Sequence, residues 1–164
     1  MAMQTPKDLF IHELGDIFDA EQKIAQILPA MMQESTDAQI KKAFEEHEVE
    51  TKQQINNLKE CFQMLNIKPE SSPCAAIAGL KQEHDSFLKE KPSDSVLNLF
   101  DLGAASKTEH YEIASYKGLI EKAELMGQTQ MIELLQQNLK QEEAMAKKVE
   151  TLSKRLGKQA ISQS

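Results

Sequence analysis

A chain of 164 residues with 26 acidic and 19 basic side chains, a net charge of −7, 5% aromatics, no Trp, six Gly and five Pro suits one helical domain and offers little to a sheet. The acidic balance argues against nucleic acid or an anionic membrane as partner, and the chain shows neither a basic-then-apolar leader nor an apolar run long enough to span a bilayer. Two cysteines without metal-type spacing, Cys61 and Cys74, fit a reducing, cytoplasmic compartment, with Cys61 on an apolar seam.

Thr5-Pro6-Lys7-Asp8 reads as a helix start, with a capping hydroxyl, Pro in the first turn and an acid at the positive end of the dipole. The stripe that follows is Phe10, Leu14, Ile17, Glu21, Ile24 and Leu28, so Glu21 stands where a core residue belongs. This first helix is predicted to run to about Met32, with Pro29 near its end. Thr36-Asp37-Ala38-Gln39 matches a capping box and opens a second helix after a very short turn. Its inward positions are Ile40, Phe44, His47, Glu50 or Thr51, Gln54, Leu58, Cys61 and Leu65, again polar in the middle. Asn66 to Ser72, with Pro69, closes it.

A shorter helix starts at Ser72-Pro73 with Ile77, Leu80, His84 and Phe87 on one side, and ends near Lys91-Pro92. Ser93-Asp94 caps a third long helix whose stripe reads Leu99, Leu102, Ala105, Glu109, Glu112, Tyr116, Leu119 and Ala123, stopping at Gly127. The last long helix carries Ile132, Leu135, Leu139, Glu142, Ala146, Val149 and Leu152. Residues 1–157 thus form the helical domain, and 158–164 read as a polar, frayed tail. Two hairpins of long helices, joined by a crossover that holds a short helix, are the connectivity of an all-α, ferritin-like four-helix bundle.

Counting from the turns gives the carboxylates a common height. Glu21 and Glu50 lie about fifteen residues from the first turn, and Glu112 and Glu142 about fifteen from Gly127, so all four sit roughly 20 to 24 Å from a turn at about 1.5 Å per residue. Glu109 and His47 lie one turn away. Carboxylates gathered in a dry core cannot all ionise. Two divalent cations, Fe or Mn with Zn as an alternative, resolve the conflict for such an oxygen-rich set. A layer of protonated acids that only sets helix register would use the same residues. His47 either ligates or hydrogen-bonds a carboxylate, and the Tyr116 hydroxyl either bonds Glu112 or packs. His110 falls off the stripe, and His12 and His84 read as structural.

Phe10-Ile11-His12, Asp19-Ala20-Glu21, His47-Glu48-Val49-Glu50-Thr51, Glu109-His110-Tyr111-Glu112-Ile113-Ala114-Ser115-Tyr116 and Leu139 to Ala144 resemble the YciF/YciE family of bacterial stress-associated proteins. That resemblance implies a ferritin-like bundle related to rubrerythrin, a homodimer and a dinuclear metal centre. It maps Glu21, Glu50, Glu112 with Glu109, and Glu142 onto the ligands of the four long helices. The pattern departs from ferroxidase sites at Gln53 and Met145, which stand where a His follows the Glu by three residues, so the centre is expected to be rich in carboxylate and poor in nitrogen. The expected activity is the handling of a small oxidant, oxygen or peroxide, or of metal ions. The competing expectations are a non-catalytic structural or protective dimer with a vestigial polar core, and an iron-storage cage.

Overall fold

The computed structural model describes residues 3–162, which form five α-helices and no strand: α1 (Pro6–Glu34), α2 (Ala38–Met64), α3 (Ala75–Leu88), α4 (Asp94–Leu125) and α5 (Thr129–Ser162). The four long helices pack as neighbours in the cyclic order α1, α2, α5, α4, and α3 lies outside against α4 and α1. Along α2, Asp37 at the cap and then Glu46, Gln54 and Asn57 meet Arg155, Lys148, Glu142 and Asn138 of α5. Partner numbers fall on one helix as they rise on the other, so α2 and α5 are antiparallel.

Local chemistry explains the helix ends. Thr5 accepts from the Asp8 N–H at 3.2 Å, and the Asp8 carboxylate accepts from the Thr5 N–H at 2.8 Å, a reciprocal cap ahead of Pro6. The second helix is capped by Asp37 rather than Thr36: Asp37 Oδ1 accepts from the Gln39 and Ile40 N–H groups at 2.9 and 3.1 Å. Thr36 is drawn elsewhere, since the buried Asn98 of α4 holds both its N–H and its hydroxyl. Gly127, with φ +67°, closes α4 as its position predicts. Gly157, by contrast, stops nothing. It keeps a helical conformation and α5 continues to Ser162, with Arg155 bonded to Asp37 at 2.9 Å across the first turn. The helix therefore extends into the segment expected to fray.

The crossover lies on α1. Ser72 donates its N–H to the Gly15 carbonyl at 3.0 Å, and Cys74 donates its N–H to Asp19 at 2.7 Å. These bonds hold residues 72–74 extended, so α3 begins at Ala75 rather than at Ser72-Pro73. A Cβ on Gly15 would stand 2.9 Å from the Glu70 carbonyl oxygen; only glycine admits the loop this closely.

The core is apolar towards the ends of the long helices, where Phe10, Leu14, Phe44, Leu58, Phe62, Leu102, Leu119, Met131 and Leu135 are buried. Cys61 is part of it, its thiol pushed up to about 12 by burial and by the Glu60 carboxylate. No described helix is long and apolar enough to cross a membrane.

Candidate metal centre

Between the apolar ends lies a buried polar layer. On α4, Glu109 and Glu112 are one turn apart and both face inward; α5 adds Glu142 and α2 adds His47. Each of the four offers one ligand atom, and these atoms all lie within 4.8 Å of one another. His47 Nε2 is 3.3 Å from Glu109 Oε1.

Glu21 of α1, fully buried, joins this group from the side. Its Oε1 accepts the Tyr116 hydroxyl hydrogen, and its carboxyl is within hydrogen-bonding reach of Glu112 once either acid is protonated. Tyr116 thus serves Glu21 on the neighbouring helix, not Glu112 one turn away on its own. The hydroxyl in turn accepts from Asn138 Nδ2 at 3.1 Å, and Asn138 Oδ1 accepts from Asn57 at 2.7 Å.

Glu50 does not take an inward position. The buried steps of α2 are Phe44, His47, Thr51, Gln54 and Leu58, which put Thr51 in the interior and leave Glu50 half-buried at the rim. One residue is about 100° of rotation on a helix, enough to decide the matter. Glu50 still lies in electrostatic reach of Glu109 and Glu142. Gln54 occupies the place beside Glu142 and donates its amide hydrogen to Glu142 Oε1. Gln53 is exposed and Met145 buried, so the one nitrogen donor comes from His47, a turn earlier than in a ferroxidase pattern. His110 is exposed, as its place off the stripe predicts.

Two polar residues of this layer, Asn57 and Asn138, escaped sequence reasoning, whereas Gln54 is buried as its place on the α2 stripe predicts. Asn138 precedes Glu142 by one turn and so shares its face, a signal present in the spacing. The inward stripe of α5 is Met131, Leu135, Asn138, Glu142, Met145, Val149 and Leu152 rather than one through Ile132, Leu139 and Ala146. Choosing apolar residues at each step favoured the wrong alternatives. Asn57 was hidden by the same preference, standing beside the apolar Leu58.

The electrostatics are those of acids deprived of water. Burial is the main cause that raises the carboxyls of Glu21, Glu109 and Glu112 well above the usual range; for Glu21 and Glu112 the nearby Glu142 charge follows, and for Glu109 a shared hydrogen bond with Glu142 does. Glu142 is raised too, again by burial. His47 is driven down to about 4, first by burial and then by the Lys148 charge, so its imidazole is neutral at pH 7 and keeps a lone pair for a ligand. With the acids ionised, both oxygens of Glu112, one oxygen each of Glu21, Glu109 and Glu142, and both ring nitrogens of His47 are buried without a hydrogen-bond partner. Buried acceptors are rarely left so. A donor set of several carboxylate oxygens and one imidazole fits Fe, Mn or Zn by its chemistry.

An all-helical protein with a carboxylate–histidine cluster in its interior is the class that fold and site define. The chain matches the family described as "Domain of unknown function (DUF892)" over residues 5–162 and belongs to it. It is 32% identical to Protein YciF of Escherichia coli (strain K12) over 145 residues, covering 88% of this chain and 87% of that protein, which places it with the YciF family. The crystal structure of the E. coli stress protein YciF superposes with a TM-score of 0.90 at 30% identity, over 95% of this chain and 99% of that one. YcfI from Rhodopseudomonas palustris, described as a putative structural protein, gives 0.88 at 38% identity, over 91% and 95% of the two chains. A protein from Xanthomonas campestris pv. campestris gives 0.75 at 21% identity over 97% and 98%, a likeness of fold.

Proposed function

We propose that this is a stress-response protein of ferritin-like four-helix architecture whose interior binds two divalent metal ions, Fe or Mn with Zn as the alternative. The observation that carries the reading is the set of buried, unpartnered ligand atoms on His47, Glu109, Glu112 and Glu142, with Glu21 alongside. Charge supports the number of ions: Glu21, Glu109, Glu112 and Glu142, fully ionised, are neutralised by two divalent cations. Without them, protons must fill the same role, and each shared proton leaves a repulsive neighbour.

His47, Glu109, Glu112 and Glu142 would hold the ions, with Glu21 as a further ligand and Glu50 within reach from the rim. When bound, Fe or Mn would supply the electrons for reaction with a small oxidant such as oxygen or peroxide. The surrounding residues set the geometry. Gln54 fixes the rotamer of Glu142, and the Asn57–Asn138–Tyr116 chain aims the phenol hydrogen at Glu21. The apolar ends keep bulk water away from the layer.

For partners we infer a second copy of this chain, in the cytoplasm, with neither nucleic acid nor membrane involved. The net charge of −7 supports the exclusion of nucleic acid and anionic membrane, and the two free, buried cysteines support the compartment. The second copy rests on the family resemblance alone.

A second reading, a non-catalytic structural or protective protein, is favoured by the description of the R. palustris relative and by the interlocked amides that tie α2 to α5. Wild type and the Glu112→Gln/Glu142→Gln variant decide between them in an oxidant-stress survival assay with anaerobic peroxide-consumption kinetics on the metal-loaded proteins. The metal reading expects both protection and consumption to fall at least tenfold in the folded variant. Full protection by that variant would leave the structural reading standing.

A further inference from the structure

Away from the interior layer, where α1 ends beside the crossover helix, Glu34, His84 and Asp101 converge from α1, α3 and α4. Asp101 is 0% and His84 7% exposed, while Glu34 is half-buried. His84 Nε2 lies 3.2 Å from Asp101 Oδ1 and 3.2 Å from Glu34 Oε2. A ring nitrogen carries at most one hydrogen, so it satisfies one of these two oxygens and not both. Glu34 Oε2 is left without a hydrogen bond, and the second oxygen of the fully buried Asp101, Oδ2, has no partner either. Lys81 is engaged by Asp85 Oδ2 at 2.5 Å and so brings no cation to the cluster, while Asp85 Oδ1 lies 3.9 Å from His84 Nδ1. On the other side Phe100 stands 6.0 Å from the imidazole, stacked on Phe87 at 3.8 Å, and closes the cluster with apolar surface. Two carboxylates therefore face one imidazole in a partly dry setting that is short of positive charge.

We propose that Glu34, His84 and Asp101 form a second divalent-cation site, separate from the interior centre, that takes a zinc-type ion through one imidazole nitrogen and two carboxylate oxygens. Zn(II) accepts such a set of three protein ligands with water in the fourth position. Ligand atoms about 2.1 Å from a tetrahedral ion stand about 3.4 Å from each other, close to the 3.2 Å contacts already present. The open side of Glu34 gives the ion a way in. Occupancy pins the end of α1, the crossover helix and α4 to one another, so the ion acts as a clasp on the one described helix that lies outside the ring of four long helices. None of the three residues belongs to the interior donor set.

The test titrates Zn(II) and Co(II) into chelator-treated full-length protein. Four proteins are compared: wild type, the interior variant Glu112→Gln/Glu142→Gln, and that interior variant carrying either His84→Ala or Glu34→Gln. The expected result is that the interior variant keeps one equivalent of cation, with a rise in Tm on binding and a Co(II) visible spectrum of nitrogen–oxygen coordination. Adding His84→Ala or Glu34→Gln removes that equivalent, the Tm rise and the spectrum. Far-UV circular dichroism checks folding; should the His84 variant not fold, Glu34→Gln, an isosteric change at a half-exposed helix end, carries the test. An interior variant that binds no cation, or that binds its equivalent unchanged after either added substitution, overturns the proposal. Failure of the interior reading looks different: wild type and interior variant would then bind equally.

Discussion

Helices α1 and α4 lie side by side and are of similar length, yet they bury different chemistry. α1 turns Phe10, Leu14, Ile17, Phe18, Ile24, Leu28 and Met31 inward, with Glu21 as the exception. α4 buries Asn98, Asp101, Glu109, Glu112 and Tyr116 among a few apolar residues. The contrast separates two tasks that a helical protein has to combine. α1 contributes the burial of apolar surface that stabilises the fold, of the order of 1.5–3 kcal/mol for each fully buried large side chain. On α4, Asp101, Glu109 and Glu112 carry oxygens that lose hydration without gaining an equal partner inside the protein, and each such group opposes folding until a proton or a cation joins it.

If the division holds, truncating α1 should have the largest effect on stability. Phe10→Ala is expected to cost about 3–5 kcal/mol, read as a fall in the denaturant midpoint, while folded protein keeps its metal stoichiometry. A loss of metal without a loss of stability would break the contrast.

The opposite substitution belongs to α4. Glu112→Gln in the metal-free protein should stabilise by about 1–3 kcal/mol, because an isosteric amide removes a buried acid whose ionised form has no partner, and it should weaken metal binding at the same time. Destabilisation of the metal-free form would show that the carboxylate already has its compensation.

The pH dependence sharpens the point further. Glu21, Glu109, Glu112 and Glu142 are raised in the folded protein, and Asp101 is raised to about 6 from 3.8. These five acids therefore bind more protons in the folded state than in the unfolded one between roughly pH 4 and the folded values. They outnumber the opposite contribution of His47, lowered to about 4 from 6.5. Stability is greatest near the lower limit and declines as pH rises through them. Metal-free protein should accordingly be more stable at pH 5.5 than at pH 8 in chemical denaturation. Saturating cation should flatten or reverse that slope, since the bound form keeps its acids ionised.

The smallest effect is expected at the rim. Glu50→Gln should change the stability of the metal-free protein by less than about 0.5 kcal/mol and leave the stoichiometry of the centre intact in a metal titration. Loss of an equivalent would mean that Glu50 turns inward when the ions bind.

Much of this was legible from local chemistry. Thr5-Pro6 and Gly127 mark helix ends because capping and a left-handed residue are decided within a few residues. Ser93 takes the N-cap position of α4 although its side chain makes no capping bond. Glu21, Glu109, Glu112 and Glu142 interrupt the apolar stripes of their helices. Counting from the turns puts Glu21, Glu112 and Glu142 at one height, which works because the rise of a helix is fixed. What failed depended on the partner helix. Glu50 and Thr51 are adjacent, and only the packing of α2 against its neighbours selects between them. On α5, Asn138 and Met145 won over Leu139 and Ala146 because Tyr116 and Asn57 offer Asn138 its hydrogen bonds. Gly157 lies inside α5, which runs on to Ser162, since glycine permits a helix end without requiring one. The His84 cluster joins residues far apart in the chain, and spacing carries no trace of it.

The measurement that bears most directly on the central claim is metal content after anaerobic loading with Fe(II) or Mn(II), compared between wild type and the Glu112→Gln/Glu142→Gln variant. Wild type is predicted to hold two more ions per chain than the folded variant; a difference of less than one ion per chain contradicts a dinuclear centre in the interior.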